Sequence, residues 1–209
     1  DVPDTEDEPM TTRVYLVIDE NLAGSFALAD AVRESSYDTI KGLKSQGIKT
    51  VLLSGDNEFT VKSLKETLEI DDYYAEVLPD QKHSIIEKLQ EDGSRVAMVG
   101  DGVNDAPALT KADIGIAIGS GTDVAAKTAD IILVKSNPIH VLNLIKFAGK
   151  TKSKMLQNIA WASGYNILAI PLAAGVLYSA GVVISPAVGA IFMSLSTVIV
   201  AFNARLLSN

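Results

Sequence analysis

Two carboxylates four residues apart, Asp101 and Asp105, sit in the string VGDGVNDAPAL at residues 99–109. Their hard oxygens are the ligand type that Mg²⁺ takes. Gly100 and Gly102 let the backbone come close to a bulky anion, and Asn104 stands between the two acids. The plain alternative is an Asp-Gly turn with solvated acids. A second group, Ser54-Gly55-Asp56-Asn57, places a hydroxyl and a glycine amide just ahead of a helix start, which makes an anion site. Its plain alternative is an ordinary helix N-cap. Lys82 opens a further helix, where its charge opposes the helix dipole, so it either has another reason to be there or is simply exposed. His83 beside it reads as a surface residue.

A third group is of a different kind. Tyr165 and Asn166 in one apolar stretch, and Met193, Ser194, Ser196 and Thr197 in another, set a thioether and several oxygens among aliphatic side chains. Met193, Ser196 and Thr197 recur at helical spacing on one face, with Ser194 to its side, and Asn158, Tyr165 and Asn166 fall within about 100° of one another. Pro171 leaves the carbonyl of Ile167 without its helical donor. A thioether is a soft ligand that selects ions such as Cu(I) or Ag(I). A seat for a hard cation such as Ca²⁺ would present carboxylates, and neither stretch has an interior Asp, Glu or Lys. Close helix packing explains many of the small residues, but not Met, Tyr and Asn together.

The elements that must hold these groups follow from periodicity and punctuation. Residues 13–19, 24–29, 48–53, 74–77, 95–99, 114–118 and 131–134 read as strands. Helices are expected over 30–46, opened by Asp30 and Arg33 and stopped by Gly47, over 59–69, and from Pro79-Asp80-Gln81-Lys82 onward, with proline in the first turn. The Gly-rich loop 119–123 lacks the spacing of a Walker loop and reads as a tight turn capped by Thr122 or Asp123. Strand–helix alternation predicts an α/β fold with a doubly wound parallel sheet. In such sheets ligands bind beyond the C-terminal strand ends, where Ser54 and Asp101 stand.

The formal charge is −8, from 26 acidic and 18 basic residues, and from Met155 onward the only charged side chain is Arg205. An acidic half joined to a nearly uncharged one predicts a cytosolic domain followed by a membrane domain. No basic face exists for nucleic acid. With no cysteine, neither a disulfide framework nor a zinc knuckle is available. Residues 159–178 give about 30 Å of helix, enough to cross the hydrocarbon core, and residues 186–207 give a second span. Lys146, Lys150, Lys152 and Lys154 before the first, and Arg205 near the end of the second, place both outer ends in the cytosol, with 179–185 as a short external turn.

The string at 99–109 resembles the hinge motif of P-type ATPases, cation pumps with a phosphorylation domain of the haloacid dehalogenase type. Tyr165-Asn166 and Met193-Ser194-Leu195-Ser196-Thr197 resemble the last two membrane helices of the copper/silver branch of heavy-metal-transporting P-type ATPases, in the bacterial or archaeal form with a Cys-Pro-His helix. Zinc/cadmium relatives would carry a lysine in the first helix and an Asp-Gly pair in the second. The resemblance implies ATP and Mg²⁺ as cofactors, an aspartyl-phosphate intermediate, and Cu⁺, Cu²⁺ or Ag⁺ as the transported ion bound by Tyr165, Asn166, Met193, Ser194, Ser196 and Thr197. By the same analogy Asp101 holds Mg²⁺, Asn104 and Asp105 shape that site with Asp105 as an indirect ligand behind Asp101, Lys82 neutralises phosphate oxygens, and Ser54 and Gly55 donate hydrogen bonds to the phosphate. Ser54-Gly55-Asp56 stands where these pumps usually have Thr-Gly-Asp. Asp30-x-x-Arg33 matches the hinge to the nucleotide domain.

The resemblance further implies the end of a nucleotide-binding domain and hinge at 1–29, a phosphorylation domain at 30–137, a stalk helix at 138–154 and a membrane helix pair at 155–209, in a prokaryotic cell membrane. An Asp-Lys-Thr-Gly-Thr segment is not found in this sequence. The expectation is therefore a fragment that needs N-terminal pump segments as partners and cannot phosphorylate itself. Two other readings remain: a membrane-anchored phosphatase using Asp19, and a non-catalytic metal-binding or assembly subunit.

Overall fold

The computed structural model describes residues 11–19, 21–29, 31–101, 104–119, 127–181 and 185–208. The chain divides into two compact units, Asp1–Leu142 and Asn143–Asn209.

The first unit opens with β1 (Thr11–Ile18) and β2 (Asn21–Ala29), an antiparallel hairpin with an irregularity between Leu16 and Val17. The parallel part follows: α1 (Glu34–Lys44), β3 (Val51–Leu53), α2 (Glu58–Thr67), β4 (Asp72–Tyr74), α3 (Lys82–Gln90), β5 (Ala97–Gly100), α4 (Ala106–Lys111), β6 (Ile114–Ile118) and β7 (Ile131–Leu133). Among the described residues β3 pairs with β4, and β5, β6 and β7 pair in that order, every pair parallel. This is the α/β architecture that the strand–helix alternation demands, since parallel strands need helical crossovers.

Helix α1 ends as its sequence requires. Gly47 takes φ +74°, and the amides of Gly47 and Ile48 bond back to Lys44 and Leu43, a left-handed glycine stop. The core gathers Ile86 of α3, Met98 of β5, and Ala108 and Leu109 of α4, with Leu53, Val96, Ala112 and Ala129 packed against them. Leu109 and Ile86 are among the most buried side chains, and each such side chain stabilises the fold by about 1.5–3 kcal/mol.

A repeated device sets the strand register. Asp71, Asp113 and Asp130 each stand one residue ahead of a strand, and each carboxylate accepts the backbone N–H at the start of the neighbouring one: Thr50, Val96 and Gly115, all at 2.8 Å. Each bond extends its ladder by one rung at the N-terminal end.

Several elements differ from expectation. The strand expected at 74–77 is Asp72–Tyr74, because Asp71 fixes pairing to begin beside Thr50. Beyond Tyr74 the chain turns: Glu76 takes φ +54°, and the amides of Glu76 and Val77 bond to the carbonyls of Asp56 and Ser54. Pro79 and Asp80 form a turn, and α3 begins only at Lys82. Arg33 occupies the N-cap position of α1 without a capping bond, and its guanidinium donates instead to the carbonyl of Ser136. Asp30, Gly102 and residues 120–126, with the turn expected there, lie outside the described residues.

Helix α5 (Ile139–Ala173) begins in the last four residues of the first unit, runs on into the second and carries Pro171 in its last turn, and α6 (Pro186–Arg205) follows. Helix α5 stops short of the expected residue 178. Gly175 takes φ +85°, and Tyr178–Ala180 is a 3-10 turn. Among the described residues one helical segment, Ala187–Arg205, is long and apolar enough to cross a membrane, with mean hydropathy 1.9.

Candidate functional site

Two strand ends, in the separate pairings β3–β4 and β5–β6–β7, carry the predicted groups. Strand β5 delivers Asp101 just past Gly100, and β3 delivers Ser54 just past Leu53. Helix α3 begins at Lys82, and its ammonium lies 2.6 Å from Asp105 Oδ1, with only 14% and 12% of the two side chains exposed. The awkward position of a lysine at a helix N-terminus is thereby answered by a buried counter-charge. Asp105 is the N-cap residue of α4, but its side chain makes no capping bond and turns to Lys82 instead. Gly100 makes room for this: a Cβ there would fall 2.4 Å from Asp105 Oδ2.

Asp101 is exposed, and Asn104 donates to it twice, from its backbone N–H at 3.2 Å and from Nδ2 at 3.5 Å. The structure thus forms two short-range pairs at the same strand end, Lys82 with Asp105 and Asp101 with Asn104. Exposed carboxylate oxygen beside an amide fits a hard divalent cation such as Mg²⁺.

The Ser54 loop is internally bonded. Ser54 Oγ donates to Asp56 Oδ2 at 2.7 Å and accepts from the Asp56 N–H at 3.2 Å. Asn57 caps α2, accepting the N–H of Thr60 at 2.8 Å. The capping reading holds for Asn57, and Ser54 with Gly55 lies ahead of it at the strand end. Asp19 occupies the tight β1–β2 turn at φ +48°, not the end of a parallel strand, which removes the support for Asp19 as a phosphatase nucleophile.

The carboxylates near the opposite strand ends are strongly held. Hydrogen bonds from the Thr50 amide and hydroxyl, and then Lys44, keep Asp71 below the usual carboxylate range. The Val96 amide, then the Gln90 side chain, do the same for Asp113. The hydrogen bond from Lys111 lowers Glu87, and that from Tyr73 to Glu58 raises the Tyr73 phenol.

In the second unit Tyr165 Oη donates to the carbonyl of Gly189 at 3.2 Å, so it reaches from α5 to α6. Ser194 and Thr197 donate to the carbonyls of Ala190 and Met193, one turn back, leaving their oxygen lone pairs open to accept. Ser196 is half-buried, Asn166 exposed, and Met193 is 68% exposed. The two described helices therefore present these donors without enclosing them. The sequence reading passed over Asn203, which bonds Lys154 at 2.8 Å and Asn158 at 2.8 Å. A lone amide in an apolar helix was the available signal. Among the described residues no three His, Cys, Asp or Glu side chains cluster as a metal site.

Residues 4–113 match the family model of the haloacid dehalogenase-like hydrolases, and residues 82–145 match a second model of that description. The chain is 57% identical over 196 residues to a copper-exporting P-type ATPase B of Archaeoglobus fulgidus, covering 94% of this chain and 28% of that protein. It is 46% identical to a protein of that name from Enterococcus hirae, covering 91% and 26%. The chain thus spans about a quarter of the length of these relatives. Among solved structures, a zinc-transporting PIB-type ATPase in the E2.Pi state superposes with TM-score 0.81 at 34% identity, covering 96% of this chain and 32% of that one. A catalytic CPx-ATPase domain, CopB-B, superposes at 0.53 with 41% identity, covering 63% and 53%.

Proposed function

This chain belongs to the haloacid dehalogenase-like hydrolase family, in its P-type ATPase branch, and we propose that it is part of an ATP-driven pump for a soft heavy-metal cation, copper or silver. The observation that carries the reading is the buried Lys82–Asp105 pair beside exposed Asp101, in one chain with the Met193 helix. In this reading Asp101 and Asp105 would hold Mg²⁺, which when bound supplies positive charge for a transferring phosphoryl group. Phosphoryl transfer is mostly positioning and charge neutralisation. Lys82 and the Gly55 amide orient the phosphate, Ser54 joins them when its hydroxyl proton turns away from Asp56, and Asn104 holds Asp101 in place. The aspartate that receives the phosphoryl group and the remaining nucleotide-binding residues come from other pump segments, so this chain alone forms no acyl-phosphate.

The pump reading places α6 and the end of α5 in a prokaryotic cell membrane as two spans, with the first unit in the cytosol. Met193 supplies a thioether, and Tyr165, Asn166, Ser194, Ser196 and Thr197 supply oxygens to Cu⁺, Cu²⁺ or Ag⁺, a soft preference following from the sulfur. Further donors from other segments would close the seat around them. Phosphate state and ion seat then bias one two-state equilibrium through α5.

The test uses the chain in lipid nanodiscs. Ag(I) binding that falls at least tenfold in Met193→Leu, with Ca²⁺ not competing, supports the reading. Equal binding by both forms overturns the ion assignment. An acid-stable, hydroxylamine-labile label from γ-labelled ATP would overturn the claim that this chain alone is not phosphorylated.

A further inference from the structure

Asn203 is the one amide of α6 and stands in its last turn. Three side chains of α5, Lys154, Gln157 and Asn158, converge on it, spaced i, i+3 and i+4 and hence on one helical face. Asn203 Oδ1 accepts from Lys154 Nζ at 2.8 Å, while Nδ2 donates to Asn158 Oδ1 at 2.8 Å and to Gln157 Oε1 at 3.3 Å. The set is directional, because an ammonium only donates and so fixes which end of the Asn203 amide is oxygen. Every polar atom of that amide is used. A second link, Tyr165 Oη to the carbonyl of Gly189 at 3.2 Å, joins the same two helices farther along. Met193, Ser194, Ser196 and Thr197 lie between Gly189 and Asn203 in α6, and Asn166 adjoins Tyr165 in α5.

Two links suffice to fix both depth and rotation of one helix against another. A slip of a single residue moves a helix by about 1.5 Å and turns its faces by about 100°, which would swing Met193 away from the Tyr165 face. Apolar packing alone discriminates weakly against such slips when both helices are lined with small aliphatic residues, and in lipid it supplies little drive of its own. We propose that Asn203 is a positioning residue, clasped by Lys154, Gln157 and Asn158, that sets the register at which the Met193 face of α6 meets Tyr165 and Asn166 of α5. Its consequence for ion binding rests on the soft-cation reading above, whereas the register itself does not.

The clasp makes a prediction that a merely space-filling residue would not. Asn203→Leu is close in volume and better suited to an apolar helix, yet it removes all three bonds. Asn203→Asp keeps the acceptor for Lys154, and the amides of Asn158 and Gln157 can turn over to donate to the second oxygen. Leucine should therefore break the clasp and aspartate should keep it.

Because the sequence has no cysteine, Ile167→Cys and Ile191→Cys, at positions 69% and 66% exposed, give a unique spin-label pair for the full chain in lipid nanodiscs. The background chain and Asn203→Asp should give one narrow distance. Asn203→Leu should shift or broaden it by at least about 1.5 Å and weaken Ag(I) binding about tenfold. An unchanged distance in Asn203→Leu, or a broadened one in Asn203→Asp alone, overturns the proposal. If Asn203→Leu does not fold, Lys154→Met is read by the same criteria. A background chain with a clasp-dependent distance but no Ag(I) binding keeps the clasp and removes the soft-cation reading. Ag(I) binding with a clasp-independent distance removes the clasp alone.

Discussion

Lys82 Nζ and Asp105 Oδ1 stand 2.6 Å apart, one at the first residue of α3 and the other at the N-cap of α4, and Asp105 fills the space beside Gly100. Neither charge is tolerable there alone. Lys82→Met leaves a buried carboxylate without its partner and should cost about 3–5 kcal/mol, while Lys82→Met combined with Asp105→Leu should recover most of that loss. Urea unfolding of Lys82→Met, Asp105→Leu and the double variant measures it. Single costs that simply add up to the cost of the double variant would mean that the pair is not coupled.

Gly100 has no room for a methyl group, since its Cβ would sit 2.4 Å from Asp105 Oδ2 and 2.7 Å from Asp105 Cβ. Gly100→Ala should therefore push Asp105 away from Lys82 and cost about 1–3 kcal/mol as overpacking. Gly24→Ala, where nothing lies within 4 Å, serves as the control with little effect. Thermal unfolding separates them.

Asn57 caps α2 through the Thr60 amide. Asn57→Ala should cost about 1 kcal/mol, and Asn57→Asp should be nearly neutral. A chemical denaturation midpoint lowered equally by both would show that the cap contributes nothing.

Acid should loosen the parallel sheet through Asp71 and Asp113. Both carboxyls are held below their ordinary range, Asp71 by the Thr50 amide first and Asp113 by the Val96 amide first. A depressed folded value means that the unfolded chain takes up protons first. Their stabilisation is therefore complete above the ordinary carboxylate value and is lost as pH falls through the lower folded values. Asp71→Asn and Asp113→Asn should flatten the decline in stability between about pH 5 and pH 2. A decline as steep as that of the parent chain would refute this origin.

The chemistry-bearing string at 99–109 and most strand positions are legible because apolar runs broken by glycine and acid are local signals; β6 falls on its expected residues, Ile114–Ile118. What is not legible depends on partners distant in the chain. The pairing of Lys82 with Asp105 joins residues 23 apart, and that of Asn203 with Asn158 joins residues 45 apart. No period or spacing encodes either. The displacement of β4 has the same cause, since Asp71 receives its bond from Thr50, 21 residues earlier. The oxygen and sulfur side chains of α5 and α6 are legible by residue type, but no local signal shows that Tyr165 spends its hydroxyl proton on the Gly189 carbonyl.

The three aspartates that hook Thr50, Val96 and Gly115 have a consequence for how this chain tolerates editing. Each one indexes its strand from the end remote from Ser54 and Asp101, much as a zip is aligned at its box before the slider moves. Adding or deleting one residue between such an aspartate and its strand would invert which side chains point inward and deliver the wrong residue to the working edge. Length changes should be tolerated in the helix-to-aspartate connections and rejected in the single peptide that follows each aspartate.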